Sequence, residues 1–284
     1  VGFREALLWS LAWIGFALAF NLGLWWWLDA HAGRALANEI GLEFLTGYVV
    51  EKALAVDNIF VFLMVFNSFR VPHELRQRAL MLGVLGAIVL RALLILIGAA
   101  LVAKFHWILY LFGLFLVVTG IRMLLASSQQ PPLDNNPILR WMRARLPLTG
   151  DFRGNALSVV EAGKRSYTPL FVVMVLIAVT DVIFAVDSIP AIFAVTEDPF
   201  VVLTSNVFAV LGLRALFFLL AGMAERFHLL SYGLAAVLLF VGAKMLLAGV
   251  FKIPIGFALI GVALLIAASI VASLLWPRRE DGRA

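Results

Sequence analysis

Eight long apolar runs dominate this chain, near residues 6–28, 42–68, 79–102, 106–126, 168–195, 201–223, 228–249 and 254–276. Each reaches the ~20 residues that a helix needs to cross a hydrocarbon core. None alternates polar with apolar side chains as a membrane β-barrel strand does, and only helices or closed barrels satisfy every backbone group inside lipid. The runs predict an all-α polytopic membrane protein with about eight transmembrane helices. A hydrophobic content of 63% and a mean hydropathy of +1.03 lie well beyond an ordinary soluble domain. The chain has no cysteine, which excludes disulfides, thiolate metal sites and Cys nucleophiles.

The formal net charge of +5 reports orientation rather than nucleic-acid binding, because Lys and Arg concentrate at run ends and in a few loops. With the N-terminal end inside, the inner segments hold Arg4; Arg70, Arg76 and Arg78; Arg140, Arg143, Arg145, Arg153, Lys164 and Arg165; Arg226; and Arg278, Arg279 and Arg283. The outer segments hold only Arg34, Lys104 and Lys252. The positive-inside rule therefore places both ends of the sequence in the cytoplasm. Trp9, Trp13, Trp25, Trp26, Trp27, Trp107 and Trp276 fall near predicted span ends, at headgroup level. The polar stretch Ser127 to Ser166 becomes a cytoplasmic loop, with an Arg-rich amphipathic piece around Trp141 suited to the inner membrane face. The sequence begins at Val1 rather than Met, and its first run is too long for a signal-peptide core.

The chain also repeats itself. Lys104-Phe105-His106 matches Arg226-Phe227-His228, Tyr110 matches Tyr232, and Thr119-Gly120 matches Val241-Gly242, all at one constant offset. Arg91-Ala92-Leu93 and Arg214-Ala215-Leu216 match at nearly the same offset. Each copy holds three spans, and an odd number forces opposite orientations, the inverted-repeat plan common in transporters. The expected layout is an N-terminal helix and outer loop (1–41), a first three-helix repeat (42–126), a cytoplasmic loop (127–167), a second, inverted repeat (168–250), and a C-terminal helix and tail (251–284).

The first span of each copy carries two carboxylates six residues apart: Glu51 and Asp57, then Asp181 and Asp187. Charge at membrane depth is costly, so these four acids are candidate site residues. Six residues turn a straight helix through ~600°, leaving the two side chains about 120° apart and roughly 9 Å apart along the axis. Both acids of one copy can share an ion only if the helix is unwound; otherwise one guards a path and the other holds the ligand. Pro190 lacks the N–H for the Val186 carbonyl, which predicts a break there and a released carbonyl beside Asp187.

Arg91 and Arg214 supply two positive charges against the four acids, which leaves room for one divalent cation or two protons; Lys52 alters that count if it faces inward. Asn58 and Ser188 stand beside Asp57 and Asp187, and Asn21, Thr119, Thr180 and Asn206 lie at similar depth. These oxygen donors suit Mg²⁺, Ca²⁺ or Mn²⁺ better than Cu⁺ or Zn²⁺. A desolvated carboxylate can also take up a proton when the cation leaves. Competing readings are structural Asp–Arg pairing for Arg91 and Arg214, and a gating or packing role for Glu51 and Asp181. The four histidines are expected at span ends and in loops, without metal.

The stretch Glu51-Lys52-Ala53-Leu54-Ala55-Val56-Asp57-Asn58, followed by Asp181-Val182-Ile183-Phe184-Ala185-Val186-Asp187-Ser188-Ile189-Pro190, resembles the signature of the TerC family, closest to its Alx-like branch. Where the family pattern reads Ser-x-Asp, this chain has Val179-Thr180-Asp181. The resemblance covers nearly the whole chain, including Thr196-Glu197-Asp198-Pro199-Phe200 and Leu211-Gly212-Leu213-Arg214-Ala215. It implies a bacterial inner-membrane protein associated with manganese export and tellurium resistance, within the superfamily of LysE-type exporters. It also implies one further N-terminal helix, which this sequence does not show.

The expectation is a secondary transporter, not an enzyme, exporting Mn²⁺ by alternating access. Asp57, Asp187, Asn58 and Ser188 are its first candidate metal ligands, with Glu51 and Asp181 holding or gating the ion. Arg91, Arg214 and Lys52 balance charge, and Val186 and Pro190 mark the helix break. The expected partners are the metal ion, protons in exchange and the lipid bilayer; no cofactor, nucleic acid or protein partner is indicated. Alternatives are a membrane scaffold acting through residues 127–166, an intramembrane acid–base enzyme, or an exporter of another cation.

Overall fold

The computed structural model describes residues 3–125, 136–161, 163–221, 229–251 and 253–276, excluding the side chains of residues 57, 84, 87 and 161. Its long helices are α1 (Phe3–His31), α2 (Arg34–Ser68), α3 (His73–Lys104), α4 (Ile108–Leu125), α6 (Pro169–Phe193), α9 (Leu230–Leu246) and α10 (Ile255–Leu275). A shorter pair, α7 (Pro199–Leu211) and α8 (Leu213–Ala221), meets at Gly212 with a bend of 40°. Between α4 and α6 lie α5 (Pro137–Arg145) and an antiparallel hairpin of β1 (Ser158–Glu161) and β2 (Lys164–Tyr167). Of the residues singled out in the sequence, the segment 126–135, Arg226, Phe227, His228, Lys252 and the tail from residue 277 lie outside the described residues.

The all-α polytopic architecture is as the apolar runs predict. Among the described residues, six helices are long and apolar enough to cross a membrane, and the bent α7–α8 pair, taken as one span, makes a seventh. The run at 42–68 is α2, 35 residues long; it falls outside that apolar class because it carries Glu39, Glu43, Glu51, Lys52 and Asp57. Local chemistry sets several boundaries. Pro169 and Pro199 open α6 and α7, where a missing N–H costs no helical bond. The Asp198 side chain accepts from Phe200 N–H at 2.8 Å, and Asn136 accepts from the N–H groups of Ile138 and Leu139 at 2.9 and 3.3 Å. Gly33 turns the chain between α1 and α2 with φ 94°, a conformation that costs other residues a steric clash.

Packing centres on α2, which touches α1, α6, α7 and α10. Large side chains such as Leu85, Val89, Leu93 and Leu96 of α3 point away from the bundle, as a lipid-facing stripe does. The amphipathic α5 buries Leu139 and Met142 against the core holding Phe66, Leu170 and Val173, and leaves Trp141 and Arg140 outward. The hairpin, which no apolar run announces, follows it.

The most extensive contact joins α4 to α9. A Cβ built on Gly113 meets the Gly242 carbonyl at 3.2 Å, and one on Gly120 meets the Ala235 carbonyl at 3.0 Å, so the helices run antiparallel. At the offset of the sequence repeat, Gly113 aligns with Ala235 and Gly120 with Gly242. Under that offset each contact thus maps onto the other. A Cβ on Gly242 lies 2.8 Å from the Gly113 carbonyl, which cannot swing aside like a side chain. Gly242→Leu is expected to cost about 1–3 kcal/mol by forcing α4 and α9 apart. Gly86→Ala on α3, where nothing lies within 4 Å, should instead hold or raise stability. Thermal unfolding in detergent compares the two.

Candidate ion-binding site

Three helices bring charge to one buried point. Glu51 of α2, Arg91 of α3 and Asp181 of α6 are 0%, 2% and 3% exposed. The Arg91 guanidinium forks onto Asp181, with Nε donating to Oδ2 at 3.2 Å and Nη2 to Oδ1 at 3.0 Å. Its Nη1 donates to Glu51 Oε1 and, at 3.3 Å, to Ser188 Oγ. A planar fork with five N–H donors suits two carboxylates at once, which a lysine could not match. Each separate charge would be costly here, and the pairing offsets much of that cost.

The pairing is incomplete. One guanidinium faces two carboxylates, so a surplus negative charge remains when both are ionised. The second oxygen of Glu51, Oε2, is buried without a hydrogen-bond partner among the described residues. The Tyr48 hydroxyl, Asn21 Oδ1 and the Asn206 amide nitrogen share that condition. A buried unpaired carboxylate oxygen is a place for a proton or a cation.

The other predicted site residues divide. Asp187 is half-buried, and Thr119 and Arg122 of α4 are the polar groups that act on it. The six-residue spacing thus sends Asp181 and Asp187 to different surroundings, as a regular helix requires. Asn58 and Ser188 are buried. Asp57 lies on α2, but its side chain is outside the described residues. Arg214 is half-buried and makes no hydrogen bond or ion pair among the described residues. No three His, Asp or Glu side chains among the described residues converge as a metal-ligand group.

The expected break at Pro190 is not there. α6 continues as a helix through Pro190 to Phe193, and the Val186 side chain points outward, 49% exposed. Pro190 stands in the last turn, where its own carbonyl still accepts from Ala194 N–H at 3.1 Å, so the proline weakens the helix only near an end it was about to reach. The break lies instead at Gly212. Lys52 Nζ reaches it, donating to the Ala209 carbonyl at 3.1 Å and lying 5.8 Å from the Tyr48 ring centroid. A cation at the carbonyl end of a helix is favourably placed against its dipole. A Cβ on Gly212 would lie 2.6 Å from that ammonium. The Trp13 Cβ lies 3.1 Å away and need give only by a few tenths of an ångström, while the lysine end can move, so Gly212→Ala should fold and displace the ammonium; the measurable result is faster modification of Lys52 by an amine reagent.

Sequence reasoning passed over Glu43 and Tyr48. Glu43 Oε2 accepts a hydrogen bond from Thr196 Oγ1 at 2.6 Å, tying α2 to the α6–α7 loop. Tyr48 stands three residues before Glu51, one helical turn away, a spacing that could have flagged it. Outside the spans, Arg34 donates to Asp29 at 2.8 and 2.9 Å, and this hydrogen bonding holds the Asp29 carboxyl below its usual range. Its stabilisation is present above the ordinary carboxylate pKa and lost as pH falls through the lowered value; with Arg34 exposed and Asp29 half-buried, solvent screens the pair and its contribution is small.

Residues 36–281 match the family described as "Integral membrane protein TerC family". The chain is 52% identical over 274 residues to a protein of Photorhabdus laumondii named "Putative membrane-bound redox modulator Alx", covering 96% of this chain and 86% of that one. It is 52% identical over 256 residues to the protein of the same name in Escherichia coli K12, covering 90% and 80%. It is 46% identical over 278 residues to an uncharacterized membrane protein of Myxococcus xanthus, covering 98% and 85%. No solved structure matches the chain.

Proposed function

This chain belongs to the TerC family of integral membrane proteins, and we propose that it is a secondary transporter exporting a divalent metal cation, Mn²⁺, by alternating access. The observation that carries this reading is the Glu51–Arg91–Asp181 cluster, with one guanidinium between two carboxylates and a Glu51 oxygen that has no hydrogen-bond partner among the described residues. The cluster joins the first copy of the repeat to the second, where inverted-repeat transporters place their sites. In this reading Glu51 Oε2 and Asp187 contact the ion on its way, with Asp57, Asn58 and Ser188 as further oxygen donors. Asp181 holds Arg91 in place, and Lys52 and Arg214 adjust the charge. A hard oxygen set favours Mn²⁺ over thiophilic metals. Departure of the ion leaves surplus negative charge that a proton neutralises, which is the basis for exchange with protons. The protein sits in a bacterial inner membrane with both ends of the sequence, and residues 127–166, on the cytoplasmic side.

The redox name of the relatives suggests a second reading. With no cysteine, this chain has no thiol–disulfide couple of its own, so a redox effect is more economically a consequence of the ion it moves. The binding test uses purified protein titrated with Mn²⁺ and read by the loss of the free-ion paramagnetic resonance signal. Glu51→Gln is expected to weaken binding about tenfold or more. Unchanged affinity would remove Glu51 from the ligand set.

A further inference from the structure

The two copies of the repeat are in different conditions. In the first, α3 runs unbroken through Arg91, whose guanidinium is buried between Glu51 of its own copy and Asp181 of the other. In the second, the corresponding helix is bent by 40° at Gly212, and Arg214, the counterpart of Arg91, is half-buried without a partner among the described residues. Glu51 and Asp181 are themselves counterparts, so exchanging the copies leaves the pair of acids in place and exchanges only the arginines. The seat holds one guanidinium, because Arg91 already engages both oxygens of Asp181 and one of Glu51.

We infer that Arg91 and Arg214 exchange this seat, so that in the opposite-facing state Arg214 bridges Glu51 and Asp181 while Arg91 withdraws. The inference rests on the transporter reading and supplies its conformational step. Two unbridged carboxylates at this depth are costly, so intermediate arrangements are disfavoured and two discrete states remain. The bend travels with the arginines: α7 and α8 align as Arg214 enters, and α3 bends near Val89, the counterpart of Gly212. Lys52 marks the present state. Its Nζ holds the Ala209 carbonyl, which in an unbroken helix accepts the N–H of Leu213 instead, so straightening the helix releases the lysine. Its counterpart is Val182, so this latch exists in one state only.

The absence of cysteine gives a clean background for the test. Thr46→Cys on α2, ahead of Glu51, and Leu176→Cys on α6, its counterpart ahead of Asp181, are both buried reporters, each 1% exposed. Their rates of reaction with a membrane-impermeant maleimide, applied from each side of the full chain in vesicles, read which side is open. Arg91→Gln and Arg214→Gln are expected to shift the ratio of the two rates in opposite directions, each by about tenfold. The double variant should return near the wild-type ratio, which a purely structural Arg91 would not permit. The Arg→Lys pair, which keeps the charge, is expected to show the same opposition and decides the question should Gln at position 91 not fold. Shifts in the same direction, or a silent Arg214, overturn the exchange. Labelling needs no metal, so the two ideas fail separately: Mn²⁺ flux without reciprocal labelling removes the exchange, and reciprocal labelling without flux removes Mn²⁺ transport.

Discussion

Replacing both arginines, Arg91→Met with Arg214→Met, so that neither can bridge the acids, should destabilise the protein by about 3–5 kcal/mol, the usual result of removing one partner from a buried ion cluster. The loss comes less from the missing bonds than from what remains: Glu51 and Asp181, fully buried and facing each other across the space of the lost guanidinium. Neutralising those acids should therefore rescue it. Adding Glu51→Gln and Asp181→Asn to that double variant leaves no formal charge at the cluster and should recover most of the lost thermal stability in detergent, although it cannot bind an ion there. If that fourfold variant melts no higher than the double arginine variant, electrostatics is not what the cluster contributes to the fold.

The converse holds at Asp187, which is half-buried and is acted on by the neutral Thr119 and the Arg122 charge. Asp187→Asn keeps the shape and hydrogen-bonding capacity of the side chain, and its effect on stability should stay within about 1 kcal/mol. Mn²⁺ transport should nonetheless fall by about a hundredfold, the scale of losing one charged oxygen from an ion path. Asp57→Asn should behave alike in transport. Stability and flux then separate: the bridge between Arg91 and its two acids holds the bundle together, while Glu51 Oε2 and Asp187 serve the ion. A large drop in melting temperature with Asp187→Asn would make that acid a structural group.

Much of the architecture could be read from periodicity and charge alone, because lipid leaves a chain few options. The apolar runs locate the helices, and the exposed apolar stripe of α3 is what a lipid-facing surface needs. The acids were legible for a different reason: Glu51 and Asp181 are conspicuous against apolar neighbours. Which arginine meets them was not, since Glu51 and Asp181 lie on helices far apart in sequence and only packing brings both to Arg91. The break was misplaced because proline is the louder signal. Pro190 stands in the last turn of α6, where little helix remains to lose, whereas Gly212 sits mid-run, flanked by leucines, and bends where Lys52 supplies a donor for the Ala209 carbonyl. The hairpin Ser158–Tyr167 lies in polar sequence whose pairing of short strands has no apolar run to mark it.

The decisive measurement is Mn²⁺ flux through the purified full chain in proteoliposomes, followed by a trapped Mn²⁺-quenched dye. Wild-type protein should give saturable flux well above empty liposomes, and Glu51→Gln with Asp187→Asn together should return it to the empty-liposome rate. Wild-type flux no faster than empty liposomes, or flux indifferent to the loss of both acids, would contradict a transported ion at these carboxylates.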